Sequence, residues 1–198
     1  MLAGNPPTYS VSRALATILC LATLTSACGV NNIPSYDEAA NTAWNQVYRH
    51  YKQRADLVPE LMTAVEGVVE QEPSALTDLL AAHKTVTELS ITPDMLSDQS
   101  SFALFANAQL ALGSTLNDVS ALSDAYLELA SDQRFKSLLA QLEGIDNRIT
   151  VARDDYLQAV HRYNTELRTI PGRWWHSFMY PEMQAKQHFS ADQPDAGN

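Results

Sequence analysis

Arg54 is the residue whose surroundings ask most of its chemistry. Counting in alternating steps of three and four gives Trp44, Val47, Tyr51, Arg54, Val58, Leu61, Val65 and Val68. That is the apolar seam of a helix that other helices must cover, and a guanidinium in its middle must find an acid or reach water. The other reactive side chains lack such a setting. His50, His83, His161, His176 and His188 show neither zinc spacing nor the Glu-x-x-His pattern of di-iron bundles. His83 and His161 read as core-edge or surface residues. Asp154 and Asp155 read as a solvated helix face rather than a catalytic pair. Neither a glycine-rich phosphate loop nor a Gly-x-Ser-x-Gly elbow is present. No enzymatic activity, cofactor, metal site or small-molecule substrate is expected.

Charge narrows the range of partners. The 198 residues carry a net charge of -10. Arg13 is the one charged residue before Cys28, so a chain beginning at Cys28 keeps 12 of the 13 basic residues against 23 acidic ones, a net of -11. Phosphates would repel such a surface, which argues against nucleic acid. Its charge alone is also ill suited to holding anionic lipid. The two cysteines, Cys20 and Cys28, both precede residue 30, so the rest of the chain holds no disulfide, thiolate metal site or cysteine nucleophile.

The first 27 residues read as an export signal. Arg13 precedes an apolar run, Ala14 to Leu24, whose 11 residues fall well short of the roughly 20 needed to span a bilayer. Leu24-Thr25-Ser26-Ala27-Cys28-Gly29 resembles the lipobox of bacterial lipoproteins, with Thr25 where leucine is commoner. In that class the signal is cut before the cysteine, which then carries acyl chains; Cys28 is the lipid-attachment candidate. The alternative is an uncleaved anchor running from about Val11 to Val30. Gly29, rather than Asp, follows the cysteine, which in a Gram-negative host implies export to the outer membrane.

The elements that must position Arg54 are helical. Glycine is scarce at seven residues, and segments of alternating polarity are few. Residues 28–34 read as a tether, and Ser35 with Glu38 as a capping box opening helix one. Helix one is expected to run to about Gln71 as one bent helix, because the seam keeps its phase across Pro59; a break into two helices at Val58 is the alternative. Helix two is expected over Ser74–Leu89, with Leu76, Leu79, Leu80, His83 and Val86 on one side. Helix three is expected over Phe102–Ala130, with a seam of Phe102, Phe105, Gln109, Leu112, Leu116, Val119, Ser123 and Tyr126. Ser131 and Asp132 supply a turn and a cap, and helix four is expected over Gln133–Arg168. The fold class is therefore all-α, an elongated antiparallel four-helix bundle over 35–170. Helix two is short, so Ser90–Ser101 must cover the gap it leaves. Residues 171–198 are expected to form an irregular tail, rich in aromatics and then disordered.

Two stretches resemble the LemA family of bacterial membrane-associated helical proteins. One is Trp44-Asn45-Gln46-Val47 followed by Gln53-Arg54-Ala55-Asp56-Leu57-Val58-Pro59-Glu60-Leu61. The other is Leu142-Glu143-Gly144-Ile145-Asp146-Asn147-Arg148-Ile149, then Ala152-Arg153, Tyr156, Val160, Tyr163-Asn164 and Pro171-Gly172. The resemblance covers about residues 36–173. It implies an elongated antiparallel helical bundle tethered to a membrane by its N-terminus, with no agreed enzymatic activity. The chain departs from it at both ends, in a leader that looks cleaved and lipidated and in an aromatic-rich tail.

The shared motifs put Arg54 on helix one and Glu143, Asp146 and Asn147 on helix four. Arg54 is expected either to meet Glu143 or Asp146 across the bundle and fix its register, or to reach solvent from a half-buried seam. An even number of antiparallel helices returns the tail to the end that carries Cys28. Trp174, Trp175, Phe178 and Tyr180 are thereby candidates for membrane contact, for capping the bundle's end, or for a partner. The resulting expectation is a lipid-anchored protein facing the periplasm or exterior, or else a single-pass inner-membrane protein. It would act as a scaffold for another envelope protein, or as a regulatory accessory or sensor of an envelope protease or other enzyme.

Overall fold

The computed structural model describes residues 32–66 and 73–189, and these are helical with no strand among them. The leader with Cys28, Val68 in the first seam, and residues 190–198 lie outside the described residues. Seven α-helices and one 3-10 turn are described: α1 (Asn32–Asp56), α2 (Val58–Val65), α3 (Pro73–Glu88), a 3-10 turn (Pro93–Leu96), α4 (Gln99–Ala125), α5 (Leu127–Ser131), α6 (Gln133–Arg168) and α7 (Gly172–Met179).

Tertiary contacts move several boundaries away from the local signals. α1 is already helical at Asn32, so Ser35 does not cap it. Pro34 is tolerated in the first turn because its missing N–H has no helical partner there. Packing holds this end: Ile33 is fully buried beside Tyr163 and Leu167, and Asn32 Nδ2 lies 3.4 Å from Glu166 Oε1. The single bent helix expected across Pro59 is instead two helices separated at Leu57. Leu57 N–H turns back to the Arg54 carbonyl at 3.2 Å, and the Leu57 carbonyl accepts from Leu61 N–H at 3.0 Å. Pro59 then occupies the second position of α2, where it costs no hydrogen bond. Val58, Leu61 and Val65 are all buried, so the seam does keep its phase across the break.

α4 starts before Phe102 because Asp98 caps it, its Oδ2 accepting from Ser101 N–H at 2.7 Å. It also stops short of Ala130. Tyr126 is extended (φ -118°, ψ 105°) and separates α4 from α5, which buries Leu129 and exposes Leu127. In α3, Leu80 faces solvent while Ala82 is buried beside Leu76 and Leu79. α6 covers the expected range and is capped by Asp132, whose Oδ1 accepts from Arg134 and Phe135 N–H at 2.6 and 3.0 Å. At 1.5 Å per residue α6 is about 54 Å long.

The long elements alternate in direction. α1 and α6 are antiparallel, with Asn32 opposite Glu166 at one end and Arg54 opposite Asp146 at the other. α4 runs the same way as α1, pairing Phe102 with Trp44 and Gln109 with Arg54. α3 runs against both, with Leu76 and Leu79 in the aliphatic core and Leu89, just past its end, beside the aromatic one. The core falls into three parts. Rings gather around Trp44, mostly aliphatic side chains with Phe135 fill the space from Ala55 onward, and a small cluster of Ile33, Tyr163 and Leu167 closes the end where α1 begins.

Candidate functional site

Arg54 lies at the boundary between the aromatic and aliphatic parts and is only 3% exposed. Its Nη2 donates to the backbone carbonyl of Gln109 at 2.7 Å and to Gln109 Oε1 at 3.1 Å. Nη1 lies 3.3 Å from Asp146 Oδ1, and the guanidinium carbon sits 5.2 Å from the Tyr51 ring centroid. Its Nε is buried with no hydrogen-bond partner. Three helices are thus joined by one side chain: α1 through Arg54, α4 through Gln109 and α6 through Asp146. Glu143 and Asn147 are exposed and stay outside this layer. Gln109 is the member that sequence reasoning did not pair with Arg54. The signal was available, since Gln109 is a polar residue inside the apolar seam of α4, the same anomaly as Arg54 in α1. A buried cation thus shares one layer with a buried amide and a half-buried carboxylate, each on a different helix. Sliding one of them would strand the charge.

The second cluster of unusual residues lies at the far end, after α6. Trp174 and Phe178 are four apart on α7 and share an exposed face, with relative exposures of 57% and 84%. Trp175 and Tyr180 point the other way, against the cluster of Ile33, Tyr163 and Leu167. The four aromatic candidates therefore divide into two outward and two inward residues. Gly172 permits the close docking of α7, because a Cβ there would collide with the Glu166 backbone carbonyl.

Beyond α7 the tail is irregular in shape but tightly bonded. His176 Nε2 lies 2.8 Å from the Met183 carbonyl, and Tyr163 Oη donates to the Gln184 carbonyl at 3.0 Å. Asn164 makes two bonds with the Lys186 backbone, donating to its carbonyl at 2.8 Å and accepting from its N–H at 2.9 Å. Lys186 Nζ reaches Asp37 at 2.9 Å and Asn41 at 3.0 Å on α1. Tyr156 Oη donates to the Gln187 carbonyl at 2.7 Å, and Gln187 N–H donates to the Leu96 carbonyl at 2.6 Å. Phe189 then inserts among Trp44, Tyr51, Phe102 and Tyr156, with the Arg153 guanidinium 4.5 Å from its ring centroid. Burial pushes the phenols of Tyr156 and Tyr163 well above the usual tyrosine range, and the Asp37 carboxylate adds to the effect at Tyr163. Residues 180–189 thus form a strap across α1 and α6, not a loose tail. Backbone bonds to Tyr, Asn and His side chains hold it, and periodicity does not encode these.

A family model described as the LemA family matches residues 43–197. The chain belongs to the LemA family. No curated protein matches it. The matched span reaches past Gly172 and takes in α7 and the strap, so family character extends further toward the C-terminus than the motifs from Trp44 to Gly172 imply.

The remaining polar groups of this LemA-family chain are dispersed. His50 Nδ1 lies 2.9 Å from Gln53 Oε1, His161 is exposed, His83 is half-buried, and Gln158 donates to the exposed Asp154. Among the described residues no group of three or more His, Cys, Asp or Glu side chains is placed to hold a metal ion. No described helix is long and apolar enough to cross a membrane. A shallow lateral groove of about 300 Å³ runs between α1 and α6, lined by Gln46, His50, Asn147, Arg148, Val151 and Asp155. Asn147 brings it next to Asp146, and Val151 offers it an exposed apolar side chain.

Proposed function

We propose that this LemA-family protein is a non-catalytic framework of the bacterial envelope, an up-and-down four-helix bundle. Residues 1–27 are removed, Cys28 carries the lipid, and the long lateral face between α1 and α6 is offered to another envelope protein. The observation that carries this reading is where the buried polar chemistry goes. The two buried polar side chains among the described residues, Arg54 and Gln109, bond to each other, and Arg54 bonds to Asp146. They act as a structural tie and do not converge on a cleft. The groove alongside is shallow and open, the form of a surface that meets a protein rather than encloses a substrate.

Two measurements on the protein taken from membranes test the reading. Its intact mass should equal that of residues 28–198 plus acyl chains; a mass that retains residues 1–27 removes the lipoprotein. A photo-crosslinker at Val151 should give one reproducible adduct in the membrane, absent when the probe sits at exposed Leu104. Equal labelling from both positions removes the lateral-face scaffold. An adduct with an envelope protease whose activity changes with the contact would favour the regulatory accessory role.

A further inference from the structure

We infer that α7 is an interfacial foot, which rests the frame on the lipid surface to which the N-terminus is tethered. Nine large apolar side chains are exposed among the described residues, and four of them fall within ten positions: Ile170, Trp174, Phe178 and Met179. They are not leftovers of a poorly packed end. The same helix buries Gly172 against α6 and turns Trp175 into the cluster of Ile33, Tyr163 and Leu167. α7 is therefore docked by one face, while Trp174 and Phe178 share the outward one; Met179 at its end and Ile170 just before it are also exposed. Arg168, Arg173 and Glu182 are exposed charged residues close to it in sequence, Arg173 directly before Trp174. Aromatic and aliphatic side chains bordered by arginines suit the headgroup and upper acyl region of a bilayer, where the rings sink in and the guanidiniums stay with phosphates and water.

The chain's own path favours lipid over other occupants. α7 packs against the start of α1. From Asn32 back to Cys28 is four residues, a reach of at most about 14 Å. The apolar run ending at Leu24 is eight residues back, at most about 28 Å. Whatever holds residues 24–28 is thus held within about 28 Å of the start of α1, against which α7 packs. A second copy is a poorer fit, because four side chains on and just before one short helix fall well below the roughly 800 Å² per partner of a stable interface. This inference rests on the tethered reading given above, and the test separates the two.

The full chain is reconstituted into phosphatidylcholine vesicles containing phosphatidylcholine with brominated acyl chains, and tryptophan emission is read for the parent, Trp174→Phe and Trp175→Phe. The altered positions lie on α7, and unchanged emission from buried Trp44 checks that the core remains intact. The parent should float with the vesicles and be quenched. The quenched share should vanish in Trp174→Phe and persist in Trp175→Phe. Phe178→Asp should weaken quenching of Trp174 while flotation, which the tether supplies, is retained. Flotation without bromolipid quenching of Trp174 overturns the foot and leaves the tether standing. So does a Trp174 shielded by self-association rather than by lipid. A full chain that does not float overturns both.

Discussion

On either side of Arg54 the core solves one burial problem in two ways. From Ala55 onward it is mostly aliphatic: Val58, Leu61, Leu79, Leu112, Leu116, Val119, Leu138 and Leu142 come from four helices that run side by side, with Phe135 buried among them. On the other side it is made of rings. Trp44 stands between Phe105 at 5.2 Å, Tyr156 at 5.4 Å, Phe102 at 5.8 Å and Phe189 at 6.3 Å between centroids, mostly tilted or edge-on. The difference follows from helix length. α3 has 16 residues against 36 in α6, so it lines only the aliphatic part. Elsewhere the missing wall is supplied by Met95 and Leu96 of the 3-10 turn and by Phe189 of the strap, which the Gln187–Leu96 bond joins together. Where a helix is absent, large flat side chains and irregular backbone fill the width. Burying that backbone requires the Tyr156, Tyr163, Asn164 and His176 bonds.

The sharpest test of this contrast is Trp44→Ala. It removes the ring on which four others rest and should cost about 3–5 kcal/mol in chemical denaturation, with released strap amides in hydrogen exchange. A loss confined to Trp44's surroundings, with the strap still protected, would break the link between rings and strap.

The polar layer between the two regions should respond asymmetrically. Asp146→Ala leaves the Arg54 guanidinium buried with one acceptor residue, and should cost about 1–3 kcal/mol, moderated because the Asp146 side chain is 20% exposed. Replacing both inner members, Arg54→Met with Gln109→Leu, should stay within about 1 kcal/mol of the parent, because neither buried polar group is then stranded and the Asp146 carboxylate, 20% exposed, keeps access to water. If the layer fixes register, that double variant keeps its stability but gives broadened side-chain methyl resonances. Sharp, unique resonances would make the layer dispensable for register.

In the aliphatic region, volume matters more than shape. Leu116→Met, at a position 1% exposed, should cost less than about 1.5 kcal/mol by thermal unfolding. A larger loss would mean that the packing there is as specific as around Trp44.

These two regions were unequally legible in the sequence. The aliphatic seams repeat at helical spacing, so Leu112, Leu116 and Val119 could be placed, and Asp132 marked the start of α6 by cap chemistry. Arg54 announced itself as a misfit. Its acid was narrowed only to Glu143 or Asp146, and the structure brings Asp146 to it while Glu143 stays exposed. Gln109 went unpaired because a polar residue in a seam does not declare which neighbour it faces. The strap was illegible for a deeper reason. Its bonds run from side chains on α6 to backbone groups 21 to 31 residues away, and no local pattern encodes a long-range bond to a carbonyl. The aromatic count of the tail was plain, but its division into outward Trp174 and Phe178 and inward Trp175 and Tyr180 depends on how Gly172 docks α7.

The smallest expected effect lies at the seam between helix and gap-filling segment. Asp98 accepts from Ser100 Oγ at 2.6 Å and from Ser101 N–H at 2.7 Å, and these bonds hold its carboxyl at about 2, below the usual carboxylate value of 3.8. A depressed folded-state value means that the ionised form is the one that folding favours. The contribution is complete above about 4 and is lost as pH falls toward 2. Because Asp98 is fully exposed, the change should be confined to the first turn of α4, where Phe102 leans on Trp44. Trp44 emission in the Trp174→Phe, Trp175→Phe background should therefore shift between pH 4 and 2. Asp98→Asn should flatten that shift, since asparagine caps without titrating. A shift unchanged by Asp98→Asn would separate the acid sensitivity of the aromatic region from the cap of α4.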